Sequence, residues 1–502
     1  MVTNIIYYLE RAVKKYPDKS AIADENIEFT YKEYQNFSKK VASFLIEKGI
    51  ICKKPVAVLI DRNVYSVVAF IGCAYSGNFY VPIDCTMPIE RVELILNSLK
   101  PSIIIDARNS EKNFPGAIKI RDILLKTYNE EKLESIKKKI IDTDPLYAIF
   151  TSGSTGVPKG VLVSHKSVID LVENFSKEFQ FDEKLVFGNQ APFDFDVSVK
   201  DIYNSLLNCA KLEIIPKRLF MMPVKLIEYI KDRNINTLIW AVSALRIVAD
   251  FNTFTKTNIS SLRYIMFSGE CMPVKALNYW IENVPEARYV NLYGPTEITC
   301  NCTYYEVKGK QKVDKALPVG KAFPNTRILL LNEKCQLIQT EKIVGEICIE
   351  GSSLALGYWN NQDKTKEVFI QEPGNSVYPN RVYCTGDLGY YDENDNLVFV
   401  SRKDFQIKHM GHRIELGEVE VALNSISFIE VSCCLYDEKK EKIICIYQSA
   451  EEKTKDIVQE LGKKLPKYMW PNIYLRMDKL PLNKNGKIDR KSLKEQVTDE
   501  YV

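Results

Sequence analysis

The sequence predicts an α/β fold: a large N-terminal domain of layered parallel sheets and helices, a β-rich subdomain, and a small α+β C-terminal domain. Its 502 residues exceed what one hydrophobic core supports, so at least two domains are expected. Over roughly the first 400 residues, apolar runs rich in Val, Ile and Tyr alternate with helical periodicity, the pattern of parallel strands covered by helices. From about Arg327 strand follows strand instead, which marks the β-rich part.

The elements follow in order. Met1 to Pro17 carries Glu10, Arg11, Lys14 and Lys15 among apolar residues and reads as an amphipathic surface helix, not a signal peptide. Pro55 to Ile60 (PVAVLI), Pro101 to Asp106 and Leu262 to Phe267 are continuous apolar runs, as strands covered on both faces require. Helices are expected over Asn63 to Ser76 and Lys275 to Asn283, and the charges of Glu130 to Lys139 belong on a solvated helix face. Arg327 to Leu331, Gly345 to Glu350 and Leu397 to Ser401 are the strands of the β-rich part. The last segment has helices at Glu415 to Ser425 and Lys453 to Leu465 around strands Glu430 to Tyr436 and Lys442 to Gln448.

Composition narrows the function. A net charge of +3 is too weak to argue for nucleic acid or a membrane surface, and no apolar run reaches membrane-spanning length. Thirteen cysteines without a CxxC pair point to reduced thiols and a cytoplasmic location. With only His165, His409 and His412, a histidine-based hydrolase or a histidine-rich metal site is poorly supplied.

The informative loop is Thr151-Ser152-Gly153-Ser154-Thr155-Gly156-Val-Pro-Lys159-Gly160, after the apolar strand Leu146 to Phe150. Its glycines admit close backbone approach, and its hydroxyls and Lys159 suit a triphosphate. It is not a Walker loop, because Lys159 is followed by glycine. On composition alone a plain surface loop stays open.

This loop resembles the phosphate loop of the adenylate-forming superfamily, and further motifs match in order. Asn291-Leu-Tyr293-Gly294-Pro-Thr296-Glu297 resembles the adenine-binding turn and Tyr383-Cys-Thr-Gly-Asp387 the ribose segment. Ser401-Arg402-Lys-Asp404 resembles the interdomain hinge and Asn485-Gly-Lys487-Ile-Asp-Arg490 the catalytic-lysine motif. Phe29-Thr-Tyr-Lys-Glu33, Tyr80 to Asp84, Gly345 to Ile349 and Leu465 to Pro471 also fit, so the resemblance covers nearly the whole chain. It implies ATP and Mg²⁺ as cofactors, an ATP-binding and amino-acid-binding core over 1–403, and a mobile domain over 404–502 that turns about Asp404 between two half-reactions.

By that resemblance Lys487 meets the carboxylate and the α-phosphate, Glu297 holds Mg²⁺, Thr296 touches phosphate, Tyr293 stacks on adenine, and Asp387 takes the ribose hydroxyls with Arg402 nearby. Gly411 lines the channel for the thiol. From the residues alone, Lys487 reads as a solvated lysine rather than a catalytic one, and Tyr293-Gly-Pro as no more than a turn. Cys384 and Ser401 depart from the family pattern, and both put ATP contacts in doubt.

Phe193-Asp-Phe-Asp196-Val-Ser198 resembles the amino-acid branch, in D-alanine–carrier protein ligases and freestanding adenylation domains, where an aspartate pairs with the substrate ammonium. An N-cap role for Asp196 stays open. By the same resemblance the side-chain pocket is Val197, Lys200, Ala241, Met266, Ser268, Leu292, Cys300 and Asn301, which suggests a small or polar substrate. Lys200 is expected to snorkel to the surface rather than enter the pocket.

The expected activity is therefore activation of an amino acid as its aminoacyl-AMP and transfer to the phosphopantetheine thiol of a carrier protein. Twelve residues follow Arg490, so the carrier is expected in trans. Lys403, Lys408, Arg413, Lys463, Lys464 and Lys467 are expected to attract its acidic helix. An acyl- or aryl-CoA ligase of the same superfamily has no use for Asp196. A catalytically silent partner-binding paralogue has no use for Lys159, Glu297, Asp387, Arg402 and Lys487 together.

Overall fold

The computed structural model describes residues 2–153, 157–312, 317–338, 340, 342–403, 406–481 and 488–500. They fall into two compact units, one of Met1–Asp84, Leu99–Ile149 and Gly160–Lys403, the other of Cys85–Ser98, Phe150–Lys159 and Asp404–Val502.

The larger unit is built on two mostly parallel sheets. The nine-stranded sheet runs, in spatial order, Lys321–Ala322, Thr303–Val307, Arg288–Tyr293, Tyr264–Ser268, Thr237–Ala241, Val186–Asn189, Lys211–Ile214, Ser20–Ala23 and Glu28–Thr30. Its interior strands are parallel, and antiparallel strands close both edges. The seven-stranded sheet centres on Phe79–Asp84 and Pro55–Ile60, whose side chains are almost all buried, as the apolar run requires. The β-rich part is a five-stranded antiparallel sheet that includes Thr326–Leu331, Gly345–Gly351, Arg381–Tyr391 and Leu397–Arg402.

Local chemistry sets several boundaries. The family-like string Phe29 to Glu33 is a reciprocal cap: Thr30 Oγ1 accepts from the Glu33 amide while Glu33 accepts from the Thr30 amide, starting helix Tyr31–Glu47. Asn63 caps helix Val64–Tyr75 in the same way through the Ser66 amide. Strand alternation sends Met266, Val290 and Leu292 into one core, and Ile265, Phe267 and Tyr289 into another on the opposite face.

The smaller unit contains hairpin Gln406–His409/His412–Glu415, helix Leu416–Asn424, and a three-stranded sheet of Val431–Asp437, Lys442–Gln448 and Ile473–Met477. Helices Thr454–Lys464 and Arg490–Glu500 complete it.

His165 opens helix His165–Phe179 fully buried, and its Nδ1 accepts from the Ile5 amide. Burial pulls its imidazole down to about 4, with Asp144 opposing. The fold holds it neutral, whereas the unfolded chain takes up a proton below its ordinary 6.5. Stability from this group is therefore full above 6.5 and lost as pH falls toward 4. Chemical unfolding at pH 7 and pH 5 should show wild type losing about 2 kcal/mol more than His165→Gln over that interval. Equal losses contradict this.

Candidate active site

The residues proposed to meet an amino acid converge at one end of the nine-stranded sheet. Ala241 and Ser268 are paired neighbours at the carboxyl ends of parallel strands, where open α/β sheets bind ligands. The register pairs Ile239 with Met266, and Met266 with Val290. Ala241, Met266, Ser268 and Leu292 therefore share the face against which helix Val197–Leu207 packs.

Asp196 and Val197, both half-buried, open that helix. Asp196 sits at the N-cap position with helical backbone, and its side chain makes no capping bond. Burial raises Tyr147 and Cys300, and the charge of Asp196 adds to both, with Lys200 opposing at Cys300. Tyr147 was not foreseen from the sequence: it is fully buried and its hydroxyl has no hydrogen-bond partner.

The expectation for Lys200 was wrong. It is 0% exposed and donates to Asn301 Oδ1 at 2.8 Å and Ser268 Oγ at 3.2 Å. The helix has no wet face along which a long side chain can escape. Its polar residues turn inward, with Asn204 Nδ2 bonding the Lys200 carbonyl and Asn189 Nδ2 bonding Asp201.

Cys300 and Asn301 follow the short turn Thr296–Ile298. Thr299 and Cys300 are both left-handed, at φ 59° and 79°, a conformation unfavourable for a β-branched residue. Gly294 permits this fold-back, because a Cβ there would lie 2.7 Å from Asn301 Cα and 2.8 Å from the Cys300 carbonyl oxygen.

The proposed nucleotide residues form a second group. Asp387 is buried, with Tyr293 Oη donating to one carboxylate oxygen and Arg402 Nη1 to the other, each at 2.5 Å. Arg402 also holds the Thr385 carbonyl. Each carboxylate oxygen keeps a lone pair for a ribose hydroxyl. Asn291 donates to the Pro318 carbonyl, and Thr296 is buried at the start of its turn. Glu297 is fully buried and accepts from Tyr358 Oη at 2.7 Å. An oriented carboxylate of this kind is the oxygen ligand Mg²⁺ takes, and that ion keeps few protein ligands.

Cys384, standing where the family pattern has arginine, lies 3.5 Å from Cys348 directly across the strand pair. Glu346 completes the one group of three possible metal ligands among the described residues. Its carboxylate is already engaged by the Gly386 amide and Lys403.

In the smaller unit, the glycine-rich loop and the hairpin are joined by hydrogen bonds. Ser152 Oγ donates to the Arg413 carbonyl and accepts from the Glu415 amide, the Gly153 amide donates to Glu418, and Lys159 lies 3.6 Å from Glu415. Arg91 and Glu418 form a buried ion pair, and burial raises the Glu418 carboxyl while Arg91 opposes. Thr151 Oγ1 is buried and has no hydrogen-bond partner among the described residues. Met410-Gly411 forms the hairpin's two-residue turn with φ of 52° and 81°, so backbone conformation alone accounts for glycine there. Two of the basic residues expected to attract a carrier are already paired, Lys403 with Glu346 and Lys463 with Glu460. Ser154, Thr155, Gly156, Asp404 and Lys487 lie outside the described residues.

Arg62 was missed. Its guanidinium bonds the carbonyls of Asn189, Gln190, Ala191 and Ile215, pinning the segment that leads to Asp196. The available signal was a charged residue just after the apolar strand Pro55–Ile60, at its carboxyl end. Arg62→Met strips donors from four carbonyls and should cost on the order of 3 kcal/mol in unfolding free energy. It should also raise KM for the amino acid more than KM for ATP. An unchanged melting temperature contradicts this.

A family model described as AMP-binding enzyme matches residues 9–359, and the chain belongs to that family. It is an adenylate-forming ligase of the type that includes D-alanine ligases and nonribosomal peptide synthetase adenylation domains. It is 33% identical over 516 residues to D-alanine–D-alanyl carrier protein ligase of Bacillus licheniformis, across 98% of this chain and 99% of that one. It is 32% identical to tyrocidine synthase 1 of Brevibacillus parabrevis across 97% of this chain, but spans only 44% of that protein. Among solved structures, it matches holo-PA1221, a nonribosomal peptide synthetase protein containing adenylation and PCP domains, with a TM-score of 0.85 at 23% identity, covering 98% of this chain and 84% of that one. The Vibrio cholerae adenylation domain AlmE in complex with glycyl-adenosine-5'-phosphate matches with a TM-score of 0.84 at 20% identity, covering 100% and 98%. No helix among the described residues is long and apolar enough to cross a membrane.

Proposed function

We propose that this chain activates an amino acid with ATP and passes it to the phosphopantetheine thiol of a carrier protein. A carboxylate oxygen of the amino acid attacks the α-phosphorus and pyrophosphate leaves. The thiol sulfur then attacks the acyl carbon of the aminoacyl adenylate and AMP leaves. The observation that carries the amino-acid reading is Asp196: it opens helix Val197–Leu207 without capping it, and that helix packs on the parallel strands Val186–Asn189 and Thr237–Ala241. A carboxylate so placed has a use if the substrate brings an ammonium.

The other residues supply position and charge. Asp387 and Arg402 hold the ribose, Tyr293 covers the adenine, and Thr151, Ser152, Gly153 and Lys159, with Thr296, receive the phosphates. Mg²⁺, when bound, neutralises phosphate charge, and Glu297 is the carboxylate to hold it. Lys487 stabilises the charge that builds on the α-phosphate, and the unit after Asp404 turns so that the Gly411 hairpin replaces it for thiolation.

The test is loading of a phosphopantetheinylated carrier against free CoA, followed by mass spectrometry of the thiol. An aminoacyl thioester on the carrier is expected, forming faster at low salt as exposed cations such as Lys467 steer it. Efficient acylation of CoA with no transfer to any carrier would replace this reading with a CoA ligase.

A further inference from the structure

We propose that Lys200 and Asn301 form a carboxylate-binding floor in the side-chain pocket, and that the amino acid activated here carries an acidic side chain, of the aspartate or glutamate class. This rests on the reading of the site as one that activates an amino acid.

Lys200 is a buried ammonium. Its hydrogen-bond partners are all neutral groups, Ser268 Oγ, Asn301 Oδ1 and the Cys300 thiol. No carboxylate lies within ion-pair distance of it among the described residues. Buried charges are ordinarily paired, so the partner is expected to arrive with a ligand.

Asn301 makes the same demand. It is 3% exposed, its Oδ1 is taken by Lys200, and its Nδ2 is buried with no acceptor. The amide cannot be reversed to relieve this, because Nδ2 would then face the Lys200 ammonium. The left-handed pair Thr299-Cys300 and the close pass at Gly294 hold it in place. A cation without a carboxylate partner and an amide donor without an acceptor are therefore neighbours, joined by the Lys200–Asn301 hydrogen bond. Asp201, the next residue, bonds Asn189 and is raised to about 7 by burial, so it is an incomplete counter-charge for Lys200.

Spacing supports the assignment. Asp196 and Lys200 are four residues apart, at the N-cap and in the first turn of helix Val197–Leu207, about 6 Å along its axis. A carboxylate followed one turn later by an ammonium complements a substrate whose α-ammonium and side-chain carboxylate are a few bonds apart. A neutral side chain leaves the buried ammonium without a counter-charge, and a basic one meets Lys200 directly.

The experiment is ATP–pyrophosphate exchange by the full chain over D- and L-aspartate, glutamate, asparagine, glutamine, alanine and lysine, followed by the remaining amino acids. An acidic amino acid should exceed its own amide by at least about 10²-fold in kcat/KM, since a site built for a charged partner rejects the neutral isostere. Lys200→Met should remove that preference through KM, and Lys200→Arg should restore part of it. Asn301→Asp, which gives Lys200 an internal partner, should also abolish exchange with the acidic substrate. Should Lys200→Met fail to fold, the wild-type ranking and Asn301→Asp still decide. Exchange with a neutral or basic amino acid while both acids are silent overturns the inference and leaves amino-acid activation standing. No exchange with any amino acid overturns that activation, and this inference with it.

Discussion

Asp196→Ala is expected to raise KM for the amino acid by about 10²- to 10³-fold while leaving KM for ATP nearly unchanged, because losing one member of a buried charge pair costs about 3–5 kcal/mol. Asp196 is half-buried with no substrate present, and the substrate completes its enclosure, so the lower half of that range is expected. The split between the two Michaelis constants carries the argument. Asp196 opens helix Val197–Leu207 yet makes no capping bond there, so its removal should not unravel the helix. An equal fall in ATP binding, or a lowered melting temperature, would make the residue structural.

Lys487→Ala is expected to lower adenylate formation by about 10²- to 10³-fold, the usual consequence of removing one preorganised charge donor from a transition state. Thiolation of a carrier from a supplied aminoacyl adenylate should survive far better, since by then the lysine has left the site. The two half-reactions are separable: pyrophosphate exchange reads the first, and transfer from synthetic adenylate reads the second. Equal losses in both would remove the two-conformation scheme and with it the role given to the turn at Asp404.

Much of the architecture was legible because it is local. Continuous apolar runs such as Pro55–Ile60, and caps such as Thr30–Glu33 and Asn63–Ser66, are properties of a few neighbouring residues. The pocket residues came from the family resemblance, and it is the register pairing Met266 with Val290 that puts Met266, Ser268 and Leu292 on one face. Lys200 was misjudged for a physical reason. Its helix carries lysine, aspartate, asparagine and serine, the composition of a wet face, yet Lys200, Asp201, Asn204 and Ser205 are all buried and bonded inward. Periodicity cannot tell a solvated polar stripe from one satisfied by the next layer. Arg62 and the Arg91–Glu418 pair were beyond local reasoning, since their partners lie more than a hundred residues away.

The most direct measurement follows the oxygen. The chain is incubated with ATP and a mixture of amino acids enriched in ¹⁸O at their α-carboxylates, with a thiol acceptor, and the nucleotide products are examined by mass spectrometry. Attack of the carboxylate on the α-phosphorus predicts AMP carrying one ¹⁸O for each acyl group transferred, with unlabelled pyrophosphate. ADP with labelled inorganic phosphate, or AMP without label, would mean that no acyl adenylate forms and would contradict the account.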